Sequence, residues 1–185
     1  MLVRARRDEL LGPLSAVAGI IERRHTLPIL SNVLISRAED QLSFLATDIE
    51  IQITARSAPG QSGEAHSVTV GARKLLDILR ALPESIDVTL QQQDKRLVLK
   101  AGKSRFVLQT LPAEDFPRLA SPGGEVARFS LEQKVLRRLL ALVQYAMAQQ
   151  DIRYYLNGLL LVGEESQLKL VATDGHRLAY ICAPL

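Results

Sequence analysis

One short segment of the sequence has residue types that could carry nucleophilic catalysis. In the hexapeptide 173–178, Thr-Asp-Gly-His-Arg-Leu, Asp174 stands two residues before His176. On a regular strand the two side chains would share a face, so the carboxylate could orient the imidazole. Cys182 or Ser166 could then be the nucleophile, but no nucleophile elbow or oxyanion loop is recognisable. The first half of the chain repeats the Thr-Asp without the histidine, which predicts a structural turn or cap followed by a binding surface.

Phosphate-loop and metal chemistry have less support. The run 102–104, Gly-Lys-Ser, resembles the end of a phosphate-binding loop, but that motif needs a glycine where Leu97 stands and a helix afterwards. The three histidines lack metal-ligand spacing, Cys182 is the only cysteine, and the acidic residues are scattered. The sequence therefore predicts no metal site, no cofactor, no internal disulfide and no catalytic residue.

Cationic side chains gather where a nucleic acid could bind. Lys134, Arg137 and Arg138 share one face of a predicted helix with no acid among them. Clustered cations favour a polyanion because they release its counterions, although a solvated helix face has the same pattern. The following loop, 148–158, adds an arginine, glutamines and two tyrosines that could contact phosphates and bases; a strand start with half-buried tyrosines is the alternative. Arg23-Arg24-His25 occupies the matching place in the first half. The net charge of +3 alone indicates no partner.

Two stretches of the chain, 27–53 and 152–181, resemble each other. Each contains an asparagine, an apolar run, an acidic turn and an alternating strand that ends in Ala-Thr-Asp, and each follows an amphipathic helix pattern. The anchors, 125 and 126 residues apart, are Asn32 with Asn157 and Asp48 with Asp174. The helix patterns cover residues 8–21 and 131–147. The same elements in the same order predict a duplicated structural unit.

The rest of the first copy predicts an α+β domain with antiparallel sheets. A helical stripe over 73–82 stops at Pro83, and 95–111 reads as a hairpin. Further strand patterns cover residues 49–56, 68–70, 87–91 and 96–100. Prolines and a Gly-Gly pair within 111–125 mark a boundary. The expected organisation is a complete domain at 1–120, a linker at 121–125 and the first half of a second domain at 126–185, within a longer repeat protein.

The sequence favours a cytoplasmic protein without membrane contact. It contains no run of about 18 apolar residues, which is the length that a membrane-spanning helix needs. Its first residues, MLVRARRDELL, include no long apolar segment of the kind that secretory signals carry. A single cysteine also fits a reducing compartment.

Several motifs taken together resemble the bacterial DNA polymerase III β subunit family, the replicative sliding clamps. They are Arg24 with Thr-Leu-Pro-Ile-Leu at 26–30, Gly-Ala-Arg-Lys at 71–74, Ser-Arg-Phe at 104–106, Thr-Leu-Pro-Ala-Glu-Asp-Phe-Pro at 110–117, Gln-Asp at 150–151 with Arg-Tyr-Tyr-Leu-Asn-Gly at 153–158, and the hexapeptide at 173–178. The resemblance implies the DNA-clamp fold, in which each of three alike domains packs two helices on antiparallel sheets. Two such subunits would form a head-to-tail ring around duplex DNA.

The resemblance also implies a non-catalytic processivity factor with named contacts. Its partners would be double-stranded DNA, the clamp loader, and replicative and repair DNA polymerases that bind through short peptide motifs. The family's DNA contacts correspond to Arg24, Arg73, Gln150, Tyr154 and Tyr155. Its peptide pocket corresponds to Arg153, Tyr155, Leu156, Thr173, Gly175, His176, Arg177 and Leu178. Its subunit contact, a sheet-edge pairing in the homodimer, corresponds to Lys74, Phe106 and Leu108.

The sequence departs from the family in ways that leave alternatives open. The first helix has a nearly neutral polar face, and we expect a third domain and half of the second to be absent, so that this chain alone closes no ring. A stand-alone nucleic-acid or peptide-binding module of one and a half repeats is one alternative. A hydrolase that uses His176 and Asp174 is another.

Overall fold

The computed structural model describes residues 3–21, 27–38, 41–57, 65–120 and 128–185. Contacts divide the chain into two compact units, Met1–Ser121 and Pro122–Leu185. The expected linker at 121–125 and the cationic segment with Arg23, Arg24 and His25 lie outside the described residues. Each unit is described separately below.

Unit one combines two α-helices with antiparallel strands in the described part of the chain. The helices are α1 (Arg7–Val17) and α2 (Ala72–Ala81). The strands are β1 (Val3–Arg6), β2 (Asn32–Ala38), β3 (Gln41–Thr47), β4 (Gln52–Ser57), β5 (His66–Gly71), β6 (Asp87–Gln93), β7 (Arg96–Ala101) and β8 (Ser104–Gln109). They form two sheets, ordered β1-β6-β7-β8 and β4-β3-β2-β5. The predicted α+β class with antiparallel sheets is confirmed, as is the hairpin of β7 and β8.

Both helices bury one face against the sheets. Leu10 and Leu14 of α1 and Leu75 and Leu79 of α2 lie in the same cluster as Phe44 and its neighbours on the strands. Each fully buried leucine contributes about 1.5–3 kcal/mol relative to an exposed one. The start of α1 is further stabilised because its Glu9 carboxylate accepts the Arg6 backbone N–H at 2.8 Å.

Three element boundaries differ from those that the patterns predict. The pattern over 8–21 is an α-helix only to Val17 and continues as a 3₁₀ turn, Ala18–Ile20. The pattern over 131–147 likewise divides into an α-helix, Gln133–Val143, and a 3₁₀ turn. Apolar spacing of three and four residues fits both helix types, so it does not show where the α-helix ends and the 3₁₀ turn begins. The strand expected at 49–56 begins only at Gln52 because a hydrogen-bonded turn precedes it.

The edge strand β8 carries two of the residues expected in the subunit contact, Phe106 and Leu108. Leu108 is 5 % exposed and belongs to the core, and Phe106 is partly buried against the same core. The register explains this burial. On β7, the core residue Leu97 stands opposite Leu108 and the core residue Leu99 stands opposite Phe106. The exposed apolar side chain of β8 is Val107, at 41 %. Leu108 and Phe106 therefore pack on the core side of β8, and their place in a subunit contact stays a prediction.

A buried polar network ties the segment after β8 to the second sheet. The Thr69 hydroxyl donates to the Leu111 carbonyl at 2.7 Å and accepts the Leu111 N–H at 3.0 Å. It also accepts the Asn32 side-chain amide at 3.2 Å. Because Thr69 is fully buried, water cannot replace these hydrogen bonds.

Thr69→Val should lower the free energy of unfolding by about 2–4 kcal/mol. The change keeps the side-chain shape but removes three hydrogen bonds and leaves buried polar partners unpaired, each costing about 1 kcal/mol or more. Urea denaturation measures the effect, with Thr54→Val on an exposed position of β4 as the matched control. Equal midpoints for both variants would contradict the structural role of this network.

Unit two has one α-helix on a three-stranded antiparallel sheet within its described residues. The elements are α3 (Gln133–Val143), β9 (Leu160–Glu164), β10 (Gln167–Thr173) and β11 (Leu178–Pro184), with 3₁₀ turns at Gln144–Ala146 and Tyr154–Asn157. The sheet order is β11-β10-β9. Leu139 and Val143 of α3 pack against Leu168, Leu170 and Ala172 of β10. Alternating residues of β10 therefore form the core beneath the helix.

In the parts of the chain that the structure describes, no helix combines the length and apolarity that crossing a membrane requires.

Candidate nucleic-acid and peptide interface

A hydrogen-bonded turn joins β10 to β11 and carries the hexapeptide 173–178. The Thr173 hydroxyl donates to the Arg177 carbonyl at 2.7 Å and accepts the Gly175 N–H at 3.1 Å. One oxygen of Asp174 accepts the N–H groups of His176 and Arg177, both at 2.9 Å. Gly175 has φ +89°, a backbone conformation that residues with a side chain rarely adopt.

The same turn recurs between β3 and β4 of unit one. The Thr47 hydroxyl donates to the Ile51 carbonyl at 2.7 Å and accepts the Ile49 N–H at 3.0 Å. Asp48 accepts the N–H groups of Glu50 and Ile51, at 3.0 and 2.7 Å. The prediction that the shared Thr-Asp is structural is thus confirmed. The copies differ in what the turn presents, which is isoleucine and glutamate in unit one and glycine, histidine and arginine in unit two.

The hydrolase alternative loses its orienting carboxylate. The first oxygen of Asp174 holds the turn, and its second oxygen pairs with the Arg177 guanidinium at 2.9 Å. The backbone N–H groups of Arg177 and His176 lower the pKa of Asp174. This carboxylate therefore orients a loop and an arginine instead of the His176 imidazole.

The loop before β9 is held together by Asp151 and Asn157. The Asn157 side chain accepts the Asp151 N–H at 2.9 Å and donates to the Asp151 carbonyl at 3.0 Å. The Asp151 carboxylate accepts the Arg153 backbone N–H at 2.8 Å and forms two bonds with the Arg153 guanidinium, at 3.0 and 2.9 Å. The Leu156 carbonyl accepts the Ala148 N–H at 2.9 Å and closes the loop. The backbone around Ile152 is therefore fixed on both sides.

The loop and the turn meet at Arg153. A Cβ atom built on Gly175 would lie 3.4 Å from a terminal nitrogen of the Arg153 guanidinium. Around this contact is a cavity of about 550 Å³, lined by Met147, Ala148, Gln149, Gln150, Asp151, Arg153, Asp174, His176 and Arg177. Arg153, His176 and Arg177 of the expected peptide pocket come together here, whereas Tyr155, Leu156, Thr173 and Leu178 are not part of this lining. The expected apolar floor of Leu156 and Leu178 is thus not formed at this cavity.

The tyrosines of the loop are exposed, so the alternative of half-buried strand residues is wrong. Tyr154 is 82 % and Tyr155 67 % exposed, on a 3₁₀ turn. Their rings meet edge to face, with centroids 5.9 Å apart. Leu178 is also exposed. These side chains are available to a partner.

Sequence reasoning missed two groups at this site. The first is Tyr145, whose ring centre lies 5.9 Å from the Arg177 guanidinium. This cation–π contact joins the turn to the segment after α3. The second is Asp151, which belongs to a recognised motif but was not predicted to position Arg153. The repeated asparagine was a usable signal, since Asn157 is the anchor that fixes Asp151.

A basic face on α3 provides a second surface in unit two. Lys134, Arg137 and Arg138 are exposed and, with Gln133, line a cavity of about 380 Å³. Among the described residues none of these cations has an ion-pair partner. Their charge is therefore available to an external anion.

The DNA contacts expected in unit one are placed only in part. Arg73 is exposed on α2, and its guanidinium donates to the Ile21 carbonyl at 3.0 Å. Lys74 is exposed beside it. Arg24 lies outside the described residues.

The carboxyl group of Asp151 should titrate near pH 2. Hydrogen bonds from the Arg153 side chain, followed by its backbone N–H, lower the pKa from 3.8 to about 2. Because the folded-state pKa is depressed, the stabilisation is complete above pH 3.8 and is lost as the pH falls towards 2. Carbon-detected NMR titration would measure this midpoint.

Arg153→Gln should return the Asp151 midpoint towards 3.8. Glu164 is the internal control, since its pKa is lowered by Lys169 instead and should not respond to that change. A midpoint near 3.8 in the unmodified protein would show that the pair does not persist in solution.

The duplicated α+β unit, with antiparallel sheets and a tyrosine-bearing loop beside a Thr-Asp turn, defines a protein of the DNA-clamp class. Residues 1–120 match the model of the DNA polymerase III beta subunit, N-terminal domain. Residues 130–185 match the model of its central domain. The chain belongs to the DNA polymerase III β subunit family.

Individual relatives agree with this assignment. The Beta sliding clamp of Pseudomonas aeruginosa is 49 % identical over 173 residues, which cover 94 % of this chain and 47 % of that protein. The Beta sliding clamp of Escherichia coli K12 is 46 % identical over 179 residues, covering 97 % and 49 %. The chain thus spans about half the length of these curated relatives.

Solved structures show the same fold. The DNA polymerase III subunit beta from P. aeruginosa superposes with a TM-score of 0.93 at 46 % identity, covering 100 % of this chain and 50 % of that one. The Caulobacter crescentus pol III beta gives 0.90 at 42 % identity, covering 100 % and 50 %. A P. aeruginosa sliding clamp bound to griselimycin gives 0.91 at 46 %, covering 99 % and 49 %. The predicted DNA-clamp fold is confirmed.

Proposed function

We propose that this chain is part of a bacterial sliding clamp, a non-catalytic processivity factor of the replicative DNA polymerase in the cytoplasm. The observation that carries the proposal is that its two units match successive domains of one family and in the same order as in that family. A ring that holds DNA raises the effective concentration of a tethered polymerase without tight binding at any single site.

The DNA-facing surface of the proposed clamp is the basic face of α3 with the tyrosine loop. Lys134, Arg137 and Arg138 are exposed and have no acidic partner among the described residues. Exposed Gln150, Tyr154 and Tyr155 add hydrogen-bonding and stacking groups. Phosphate attraction is independent of base sequence, and sliding requires that independence. Arg24 and Arg73 complete the proposed contacts.

The partner-peptide surface is the neighbourhood of the β10–β11 turn. Arg153 and Arg177, each paired with a lining carboxylate, and the His176 imidazole give it hydrogen-bonding groups, and exposed Tyr155 and Leu178 offer apolar contact. A short extended peptide with polar and apolar side chains fits this chemistry. Leu156, Thr173 and Gly175 would support the pocket by fixing the loop and the turn. The clamp loader and replicative and repair polymerases are the proposed sources of such peptides.

The subunit contact of the proposed homodimer is the free edge of β8. Among the strands that the structure describes, β8 pairs with β7 alone and therefore has backbone groups available on its other side. Phe106, Leu108 and Lys74 would take part in this contact in a head-to-tail ring.

Size exclusion and electron microscopy of the whole clamp subunit, of which this chain would be a part, test the ring. A closed dimer with a central hole is expected, and a monomer without a hole would overturn the proposal.

Arg24→Ala combined with Tyr154→Ala should weaken loading on circular DNA while the melting temperature stays unchanged. A fall in melting temperature like that of a core truncation would show that these residues are packing groups instead of contacts.

A further inference from the structure

Arg37 is a buried arginine that takes no part in the surfaces described so far. It is 4 % exposed and lies on β2, on the same face as the core residues Val33 and Ile35. Its Nε and Nη1 nitrogens are buried and have no hydrogen-bond partner among the described residues. None of the ion pairs between described residues includes it. Arg37 therefore places an uncompensated positive charge inside unit one.

The neighbours of Arg37 in its sheet leave this charge uncompensated. In the register, one row of side chains on the inner face runs from Ser57 through Leu42 and Arg37 to His66. Leu42 has no polar side-chain atom, and the His66 ring is hydrogen-bonded to the Gln92 side chain. The Ser57 hydroxyl is also buried without a partner. The row thus contains two buried groups that can donate hydrogen bonds and have no protein acceptor in the described part of the chain.

The row lies at the end of the sheet, next to solvent. The pair that follows it on β2 and β3, Ala38 and Gln41, is exposed, and so is His66 on β5. A small ion can therefore approach the guanidinium without crossing the core. A duplex or a folded partner cannot, because only 4 % of the surface of Arg37 is open.

An uncompensated guanidinium inside a protein is strongly unfavourable. Burial of a charge destabilises the folded state unless the charge is paired and hydrogen-bonded. Arginine keeps its charge in proteins, so it cannot reduce this penalty by losing a proton as a buried lysine or histidine does. Water would accept the N–H groups but would leave the charge uncompensated. An anion satisfies both requirements.

We propose that unit one binds a small oxyanion of the phosphate class against the Arg37 guanidinium at the end of its core. Such an ion has several acceptor oxygens, and its hydrogen bonds with arginine are strengthened by charge. The hydroxyl of Ser57, in the same row, is a further donor. The ion stabilises the folded state by mass action, because the unfolded chain has no such site. This site requires neither the DNA surface nor the peptide surface proposed above.

Thermal unfolding in inorganic phosphate tests the site. Phosphate replaces chloride stepwise at constant ionic strength, and the melting temperature of the unmodified protein should rise by about 10 °C at a hundredfold excess over Kd. Arg37→Met removes the charge but keeps an apolar chain of similar length. This variant should melt above the unmodified protein in the absence of phosphate, and it should respond to phosphate much less.

Arg56→Met is the matched control, since Arg56 is an exposed arginine of β4 and its replacement makes the same change in net charge. It should respond to phosphate like the unmodified protein. The basic face of α3 also attracts phosphate, but it is identical in all three proteins and cancels in the comparison.

Nitrogen-15 NMR of the unmodified protein gives a measurement that needs no variant. The Nε–H resonance of Arg37 should shift with phosphate concentration and reach saturation, whereas that of Arg56 should not. If Arg37→Met fails to fold, this titration decides the question.

Three outcomes would overturn the inference. An equal rise in melting temperature for the unmodified protein and Arg37→Met would show that phosphate acts through the solvent, as excluded salts do. A melting temperature of the unmodified protein that does not respond to phosphate would show that water or chloride suffices for Arg37. An Arg37 resonance that does not move at any phosphate concentration would likewise exclude the ion.

Discussion

Replacing Lys134, Arg137 and Arg138 together with glutamate should weaken the association of the intact protein with duplex DNA by about a hundredfold or more. These exposed cations lie on one face of α3 and have no acidic partners among the described residues. Each lost phosphate contact reduces the number of released counterions by about one, and each new carboxylate repels the phosphates. The salt slope of binding should fall by up to about three.

The matched control has the same change in net charge at another exposed place. Lys95, Lys100 and Lys103 lie on or beside the β7–β8 hairpin of unit one and are exposed. Their replacement by glutamate should leave most of the affinity and the salt slope intact. If both triple variants lose affinity equally, the net charge of the protein and not the face of α3 controls DNA binding.

The sequence was sufficient for elements with strong periodicity. The apolar stripes gave α2 and the core side of α3 close to their observed positions, and turn residues located the β7–β8 hairpin. The repeat located the Thr-Asp turn in both units before any hydrogen bond was known. These predictions succeed because they depend on neighbours within a few residues.

Burial that depends on distant packing could not be predicted from local patterns. Phe106 and Leu108 alternate like residues of any half-buried strand, and only the pairing with β7 shows that their face is the inner one. Arg37 shows the same limit. It is 4 % exposed and stands between Leu42 and His66 in the register of its sheet, on the core side. Two of its nitrogens have no hydrogen-bond partner among the described residues, which no local pattern could indicate.

The sequence located the two segments of the candidate site but not their arrangement. The hexapeptide and the loop were both recognised, yet the bonds of Asp151 and Asn157 and the approach of Arg153 to Gly175 involve side-chain geometry that spacing does not encode. The two copies of the turn share their backbone hydrogen bonds and differ in the residues that follow the aspartate. Thr-Asp maintains the backbone in both, while the following residues are free to present different chemistry.

Gly175→Val should lower the free energy of unfolding by about 2–3 kcal/mol and weaken peptide binding by about tenfold or more. A β-branched residue at φ +89° has a backbone strain of about 1–3 kcal/mol. A Cβ here would already be in van der Waals contact with the Arg153 guanidinium, at 3.4 Å, so the two γ-methyl groups of valine would crowd that group. Urea denaturation and titration with a labelled polymerase-motif peptide measure the two effects.

Ile49→Gly is the reciprocal control, because Ile49 occupies the same turn of unit one at φ +84°. Its side chain is 46 % exposed, so removing it relieves a backbone strain of about 1–3 kcal/mol but loses about 1 kcal/mol of apolar burial. The added freedom of glycine in the unfolded chain costs about 0.5–1 kcal/mol, which leaves an expected gain of up to about 1.5 kcal/mol. Peptide affinity should not change. If folded Gly175→Val still binds the peptide normally, the position of Arg153 does not determine recognition; if Ile49→Gly destabilises, the isoleucine makes a contact that offsets its strain.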